Sequence, residues 1–145
     1  MAQLNVLNVI VVCGFMNSLS IPVKYLEETI RPIKADFPLT YRTCWSNHEH
    51  IENDVVIDST TGEIICIILW ENINNGINDF VQLHTIEVNK RWRNGGLGSV
   101  ILQDFMSDKE KIYARVYKRA KNFYIKNGFK MIEDLPNYAC YIKEK

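Results

Sequence analysis

The segment Val88-Asn89-Lys90-Arg91-Trp92-Arg93-Asn94-Gly95-Gly96-Leu97-Gly98-Ser99 constrains this chain more than any other part of it. Before it, Phe80 to Val88 reads as a strand. After it, Gly98 to Met106 has the length and apolar spacing of a helix. Glycines at 95, 96 and 98 let the backbone approach a ligand closely, and the helix start presents unpaired N–H groups at the positive end of its dipole. Such a turn is an anion-binding corner, and Arg93 with its basic neighbours adds charge-assisted contacts suited to phosphate oxygens. Two common phosphate-binding turns do not fit. The Gly-Lys-Ser/Thr ending of a P-loop is missing and the spacing is not Gly-x-Gly-x-x-Gly. The turn also comes late and after a hairpin, whereas a dinucleotide site expects a βαβ unit near the N-terminus.

The remaining elements follow from local patterning. Leu4 to Cys13 reads as a buried strand ended by Gly14, and Ile21 to Ile33 as a helix with Pro22 in its first turn. Residues 36–53 leave a short helix and an ordered loop both open. Asp54 to Trp70 is a hairpin that turns through Asp58 to Gly62, and a loop of Asn72, Asn74, Asn75, Gly76 and Asn78 follows. Lys111 to Tyr117 is a strand, Lys118 to Asn127 a helix closed by Gly128, and Phe129 to Ile132 and Tyr138 to Lys143 are the last strands. The fold class is α+β, with one mixed, mainly antiparallel sheet of about six or seven strands flanked by helices.

At 145 residues, with 47% hydrophobic and 23% charged, the chain suits one domain spanning 1–145. No stretch reaches the roughly 20 apolar residues of a spanning helix. No Lys or Arg precedes Lys24, so the apolar N-terminal run lacks the basic start of a secretory leader. Cys13, Cys44, Cys66 and Cys140 are widely spaced and form no Cys-x-x-Cys pair, the pattern of reduced core thiols in a cytoplasmic protein. The net charge is zero, but residues 1–87 hold 4 basic and 11 acidic side chains while residues 88–130 hold 11 basic and 3 acidic ones. That separation suits an anionic ligand on the second half and a cationic one facing the first.

The glycine segment resembles the acetyl-CoA loop of the GNAT superfamily of acetyltransferases. Arg93, Gly96 and Gly98 match its Arg/Gln-x-x-Gly-x-Gly/Ala pattern, and Val88 matches the hydrophobic residue that ends the preceding strand. Downstream, Ala120-Lys121-Asn122-Phe123-Tyr124-Ile125-Lys126-Asn127-Gly128-Phe129 is similar to the family's Ala-x-x-Phe-Tyr-x-x-x-Gly-Phe helix. The resemblance covers roughly residues 54–143. It implies an acyltransferase that uses acetyl-CoA as co-substrate and no metal, with main-chain contacts to the cofactor arm at Ile86 and Val88. It also implies diphosphate contacts from Arg93, Asn94, Gly95, Gly96, Leu97, Gly98 and Ser99, and a proton donated to the departing thiolate by Tyr124. One departure is Tyr117-Lys118-Arg119, which stands where many members carry a Ser-Asn pair whose Asn contacts the pantetheine.

An amine of pKa about 10.4 must lose a proton before it attacks a thioester, so a general base is expected. By strict alternation Gln82, His84, Ile86 and Val88 share one face of their strand, and Leu83, Thr85 and Glu87 the other. The string Gln-Leu-His-Thr-Ile-Glu-Val is locally similar to the strand of arylalkylamine N-acetyltransferases, and His84 is the leading base. Glu87 is second, favoured if a bulge breaks the alternation. The acidic stretch Glu49, Glu52 and Asp54 is expected to line the acceptor entrance and attract a cationic amine. His48-Glu49-His50 reads as solvated and not as a metal site. The leading function is transfer of acetyl to a primary amine, on a small molecule or a protein, by direct attack in a ternary complex. The alternatives are a regulatory module that binds acetyl-CoA without turnover, and an acetyltransferase for an amine linked to nucleic acid, a partner the acidic first half disfavours. A homodimer is left open.

Overall fold

The computed structural model describes residues 9–11, 36–40, 51–58, 63–74, 76 and 79–145. Its centre is one sheet of seven strands: β1 (Val9–Val11), β2 (Glu52–Asp58), β3 (Ile64–Asn74), β4 (Asp79–Val88), β5 (Lys111–Tyr117), β6 (Lys130–Asp134) and β7 (Tyr138–Glu144). The spatial order is β1-β2-β3-β4-β5-β7-β6, antiparallel throughout except for the β4–β5 pair. A parallel pair needs a crossover, and α1 (Leu97–Met106) supplies it. The short helix α2 (Lys121–Lys126) follows β5, and residues 38–40 are helical. The expected helix over 21–33, most of the first strand, residues 59–62 of the expected turn, Cys13, Cys44 and His48 to His50 lie outside the described residues.

The core follows from the side-chain periods. On α1, Ile101, Leu102, Phe105 and Met106 are buried, which is the one-sided spacing of a helix laid on a sheet. On β5, Ile112, Ala114 and Val116 alternate inward, and Ala139 and Tyr141 do the same on β7. The other face is covered as well, since Ile67, Leu69, Phe37 and Ile51 are all buried. Each fully buried apolar side chain of this size contributes about 1.5–3 kcal/mol.

β4 carries the feature that breaks the expected alternation. Leu69 pairs with Thr85 and Trp70 with Leu83, so His84 is an extra residue in a β-bulge. Before the bulge, Val81 and Leu83 face the core. After it, Ile86 and Val88 pack against the same core. Thr85 and Glu87 turn to the opposite face, opposite Leu69 and Ile67. The grouping of Gln82 and His84 with Ile86 and Val88 is therefore corrected. The Asn-rich loop is corrected too. Asn72 and Asn74 belong to β3, paired with Val81 and Asp79, because the ladder outweighs the local turn preference of Asn. β3 therefore runs to Asn74 and β4 starts at Asp79, and Asn74 Oδ1 accepts from the Gly76 N–H at 2.9 Å.

α2 is short, and its C-terminus is tightly defined. The Gly128 N–H donates to the Ile125 carbonyl at 3.1 Å, and the Phe129 N–H to the Tyr124 carbonyl at 3.0 Å. With Gly128 at φ 91°, this is a Schellman cap, and the Tyr124 and Phe129 rings make its apolar contact at 5.2 Å. Asn127, 5% exposed, then ties α2 to α1. Its Nδ2 donates to Ser99 Oγ at 3.1 Å and to the Phe123 carbonyl at 2.7 Å, while its Oδ1 accepts from Gln103 Nε2 at 3.1 Å. Replacing Asn127 by Ala removes these bonds in a buried setting and should cost about 1–3 kcal/mol. Urea denaturation checks this, and an unchanged midpoint would show the two helices to be held by apolar packing alone.

Candidate functional site

β4 and β5 pair only from Val81 with Ile112 to Leu83 with Ala114. Beyond that they diverge, each held by its outer neighbour: β4 by β3 as far as Val88, β5 by β7 as far as Tyr117. The opening between them is a cleft of about 1050 Å³. Its walls include His84 to Val88 on one strand and Arg115 to Tyr117 on the other, with Trp92 to Asn94 and Gly96 to Ser99 above and Phe123, Tyr124 and Lys126 behind.

The glycine turn forms as its sequence requires. Asn89 accepts from the Arg91 N–H at 3.1 Å, capping a 3₁₀ turn over Lys90–Trp92. The chain then reverses through left-handed residues, Asn94 at φ 68° and Gly96 at φ 77°. Gly96 caps α1 without any side-chain hydrogen bond, and the first helical bond is Val100 N–H to the Gly96 carbonyl. The N–H groups of Leu97, Gly98 and Ser99 thus form the uncapped, positive end of a helix at the cleft. Of the residues expected to meet the diphosphate, all line the cleft except Gly95. A Cβ at Gly98 would come into ordinary van der Waals contact with Phe123 and Val88 at 3.4 Å.

Arg93 lies back across the turn. Its Nε donates to the Val88 carbonyl at 2.8 Å and its Nη2 stands 3.8 Å from Glu87 Oε2. Glu87 is 6% exposed and heavily engaged. Its carboxylate accepts from the Thr40 N–H at 2.7 Å, Thr40 Oγ1 at 2.8 Å and the Leu39 N–H at 3.1 Å. Those bonds make Glu87 an anchor for residues 38–40 at the cleft wall, and the bulge brings it to the cleft. No sequence signal pointed to Thr40 as its partner. His84, lifted out of the ladder by the bulge, meets Glu71 through Nε2 at 3.0 Å, a partner the sequence reading did not find. Carboxylate pairing fixes the ring's orientation.

Tyr124 is 2% exposed and still lines the cleft. Its ring stacks on Tyr141 at 5.6 Å and meets Phe123 and Phe129 edge-on at 5.3 and 5.2 Å. Burial pushes its phenol well above the ordinary tyrosine range, with Tyr141 adding to the shift, so the hydroxyl keeps its proton at neutral pH. The acidic entrance is corrected. Glu52 and Asp54 do not line the cleft, and Glu49 lies outside the described residues. Asp54 is buried on β2, where Oδ1 accepts from Trp70 Nε1 at 3.1 Å, and burial raises its carboxyl above the usual range. Among the described residues there is no cluster of three metal-ligating side chains, and no helix is long and apolar enough to cross a membrane.

The same architecture occurs in solved structures. An acetyltransferase from Thermus thermophilus aligns over 97% of this chain and 99% of its own, with a TM-score of 0.65 at 15% identity. An acetyltransferase of the GNAT family from Desulfovibrio desulfuricans aligns over 66% of this chain and 69% of its own, with a TM-score of 0.53 at 13% identity. The chain has the GNAT acetyltransferase fold. A third structure with this fold is the AtaT toxin, solved with the C-terminus of the antitoxin AtaR and with acetyl-CoA. It aligns over 65% of this chain and 68% of its own, with a TM-score of 0.51 at 10% identity. No family model matches the sequence, and no curated protein matches it significantly.

The two neighbouring glycines give a contrast within this GNAT turn. Gly96→Ala must hold a left-handed φ and should cost about 1–2 kcal/mol. At Gly95 a Cβ meets nothing within 4 Å, so Gly95→Ala should stay within about 0.5 kcal/mol of the parent in urea denaturation. Tyr124 gives a pH signature. Its folded-state value lies above its unfolded one, so its contribution is intact below about pH 10 and is lost as pH rises further. Tyr124→Phe should flatten the alkaline fall in stability, read from unfolding midpoints between about pH 8 and pH 11. An identical fall in both proteins would mean the phenol is not desolvated.

Proposed function

We propose that this protein transfers an acetyl group from acetyl-CoA to a primary amine by direct attack within a ternary complex. The observation that carries the reading is the uncapped N-terminus of α1, set at the mouth of a cleft that the diverging β4 and β5 leave open. Residues there fit a diphosphate: free N–H groups of Leu97 to Ser99, an Arg at 93, and glycines that add no side chain. Acetyl-CoA supplies the acetyl group as a thioester. The strand edge of β4 from Ile86 to Val88, unpaired on its β5 side, is available to the cofactor arm through main-chain groups.

The chain's own groups then divide the proton chemistry. Tyr124 reaches the cleft from α2 and, being fully protonated at neutral pH, donates toward the departing sulfur. His84 takes the amine proton directly or through a water, its ring oriented by Glu71. Glu87 fixes residues 38–40 against β4, which shapes the acceptor side of the cleft. The bulge supports this division, because it puts the histidine at the cleft and turns the glutamate to the opposite face from the core.

Calorimetry with CoA and a thiol-release assay over an amine panel test the reading. CoA should bind the parent protein. Tyr124→Phe and His84→Ala should each lower kcat by about 10²-fold or more while CoA affinity stays within a few-fold of the parent. Absence of heat on CoA titration sinks the proposal, and full turnover in either variant removes that residue from its role.

A further inference from the structure

Among the described residues, the cleft wall formed by the end of β5 and the residues after it carries positive charge in Arg115 and Arg119. Ile112, Ala114 and Val116 face the core that α1 and α2 cover, so Arg115 and Tyr117 alternate to the other face of β5, the face of Thr85 and Glu87. Register sets Tyr117 directly opposite Tyr138 on β7, and the two rings stack at 4.8 Å with 26° between their planes. Arg115 lies over the Tyr138 ring and Arg119 over the Tyr117 ring, each at 5.3 Å. The result is a four-member ladder, Arg115-Tyr138-Tyr117-Arg119, along one wall of the cleft.

Both arginines are exposed, and neither has a carboxylate partner among the described residues. Lys118 between them in sequence is different, being paired with Asp134 at 2.7 Å. A guanidinium over a tyrosine ring leaves its N–H groups free of that contact, and such groups can grip a carboxylate or phosphate with two bonds. A second group lies on the same face: Thr85 lines the cleft with a buried Oγ1 that has no partner among the described residues. The uncapped end of α1 faces the cleft from the glycine turn, so the diphosphate has its own donors there.

We propose that the acceptor amine carries an anionic group, a carboxylate or a phosphate, which seats on Arg115 and Arg119 beside the stacked tyrosines. This rests on the acetyltransferase reading and names the substrate class of that same cleft. The amine end reaches toward Thr85 and His84, and the anionic end is held at the rim. A positive rim raises the local concentration of such substrates and makes their capture sensitive to salt.

The test has a binding arm and a turnover arm. With the protein saturated in CoA, inorganic phosphate and acetate are titrated separately while the Nε–H resonances of Arg115 and Arg119 are followed by NMR. Shifts in both resonances with either anion are expected, with the Arg119 shift abolished in Arg115→Ala, and the stronger anion identifies phosphate or carboxylate as the natural group. Unmoved resonances overturn the proposal. In the thiol-release assay, amines matched in all but the anionic group are compared, ethanolamine with phosphoethanolamine and tyramine with tyrosine. The anionic member of at least one pair should be preferred, and Arg115→Ala should raise its KM about ten-fold without changing that of the neutral partner. A panel in which no anionic member outperforms its partner overturns the proposal, as does a loss of CoA affinity in Arg115→Ala, which would assign the ladder to the cofactor. Calorimetry on the parent separates these results from failure of the acetyltransferase reading itself, since that failure abolishes CoA binding with the ladder intact.

Discussion

The short parallel contact between β4 and β5 governs the molecule. Only Val81 to Leu83 meet Ile112 to Ala114, and every functional element hangs from what happens next. β3 holds β4 on one side and β7 holds β5 on the other, so each strand is fully supported on its outer edge where they separate. The bulge at His84 falls at the point of separation, and a bulge bends its strand and increases local twist. A cleft made this way has rigid walls and polar main-chain edges without any loop having to fold over it. The glycine turn lies at the end of one wall and α2 follows the other, so the anion-binding corner and the buried tyrosine converge on the same gap.

The parts of this arrangement legible in the sequence are those set by neighbours in the chain. β5 matches its expected bounds of Lys111 to Tyr117 because Ile112, Ala114 and Val116 alternate without interruption. Gly128 stands out because a left-handed residue one step past a helix is a position that glycine alone fills without strain. The Gly96 turn is legible for the same reason. The bulge left a trace that strict alternation concealed: the apolar positions shift from Val81 and Leu83 to Ile86 and Val88 across His84 and Thr85. Reading period two straight through that shift put His84 on the wrong face.

What the sequence could not reveal depends on register between distant segments. Asp54 reads as a surface acid beside other acids, yet β2 pairing places it against Trp70, where burial and one hydrogen bond decide its state. Glu87 finds Thr40, and Arg115 finds the ring of Tyr138, only once the sheet is assembled. Charge counted along the chain suited a cationic ligand facing the first half, yet Glu52 and Asp54 of that half lie away from the cleft while Arg115 and Arg119 of the second half line it. Strand face, not chain order, decides which of the described charges meet the cleft.

The bulge also lets one strand turn different side chains toward the core before and after His84. Before His84 the odd residues of β4 are core. After it the even ones are, so Thr85 and Glu87 are released from packing with α1 and become the floor of the opposite half of the cleft. Glu87 then links that half to the glycine turn, because the carboxylate that anchors residues 38–40 also stands 3.8 Å from Arg93. Arg93 in turn braces the Val88 carbonyl at the end of β4. The glycine turn and residues 38–40 are therefore joined through one buried carboxylate, which sits where the strand has already exchanged its faces.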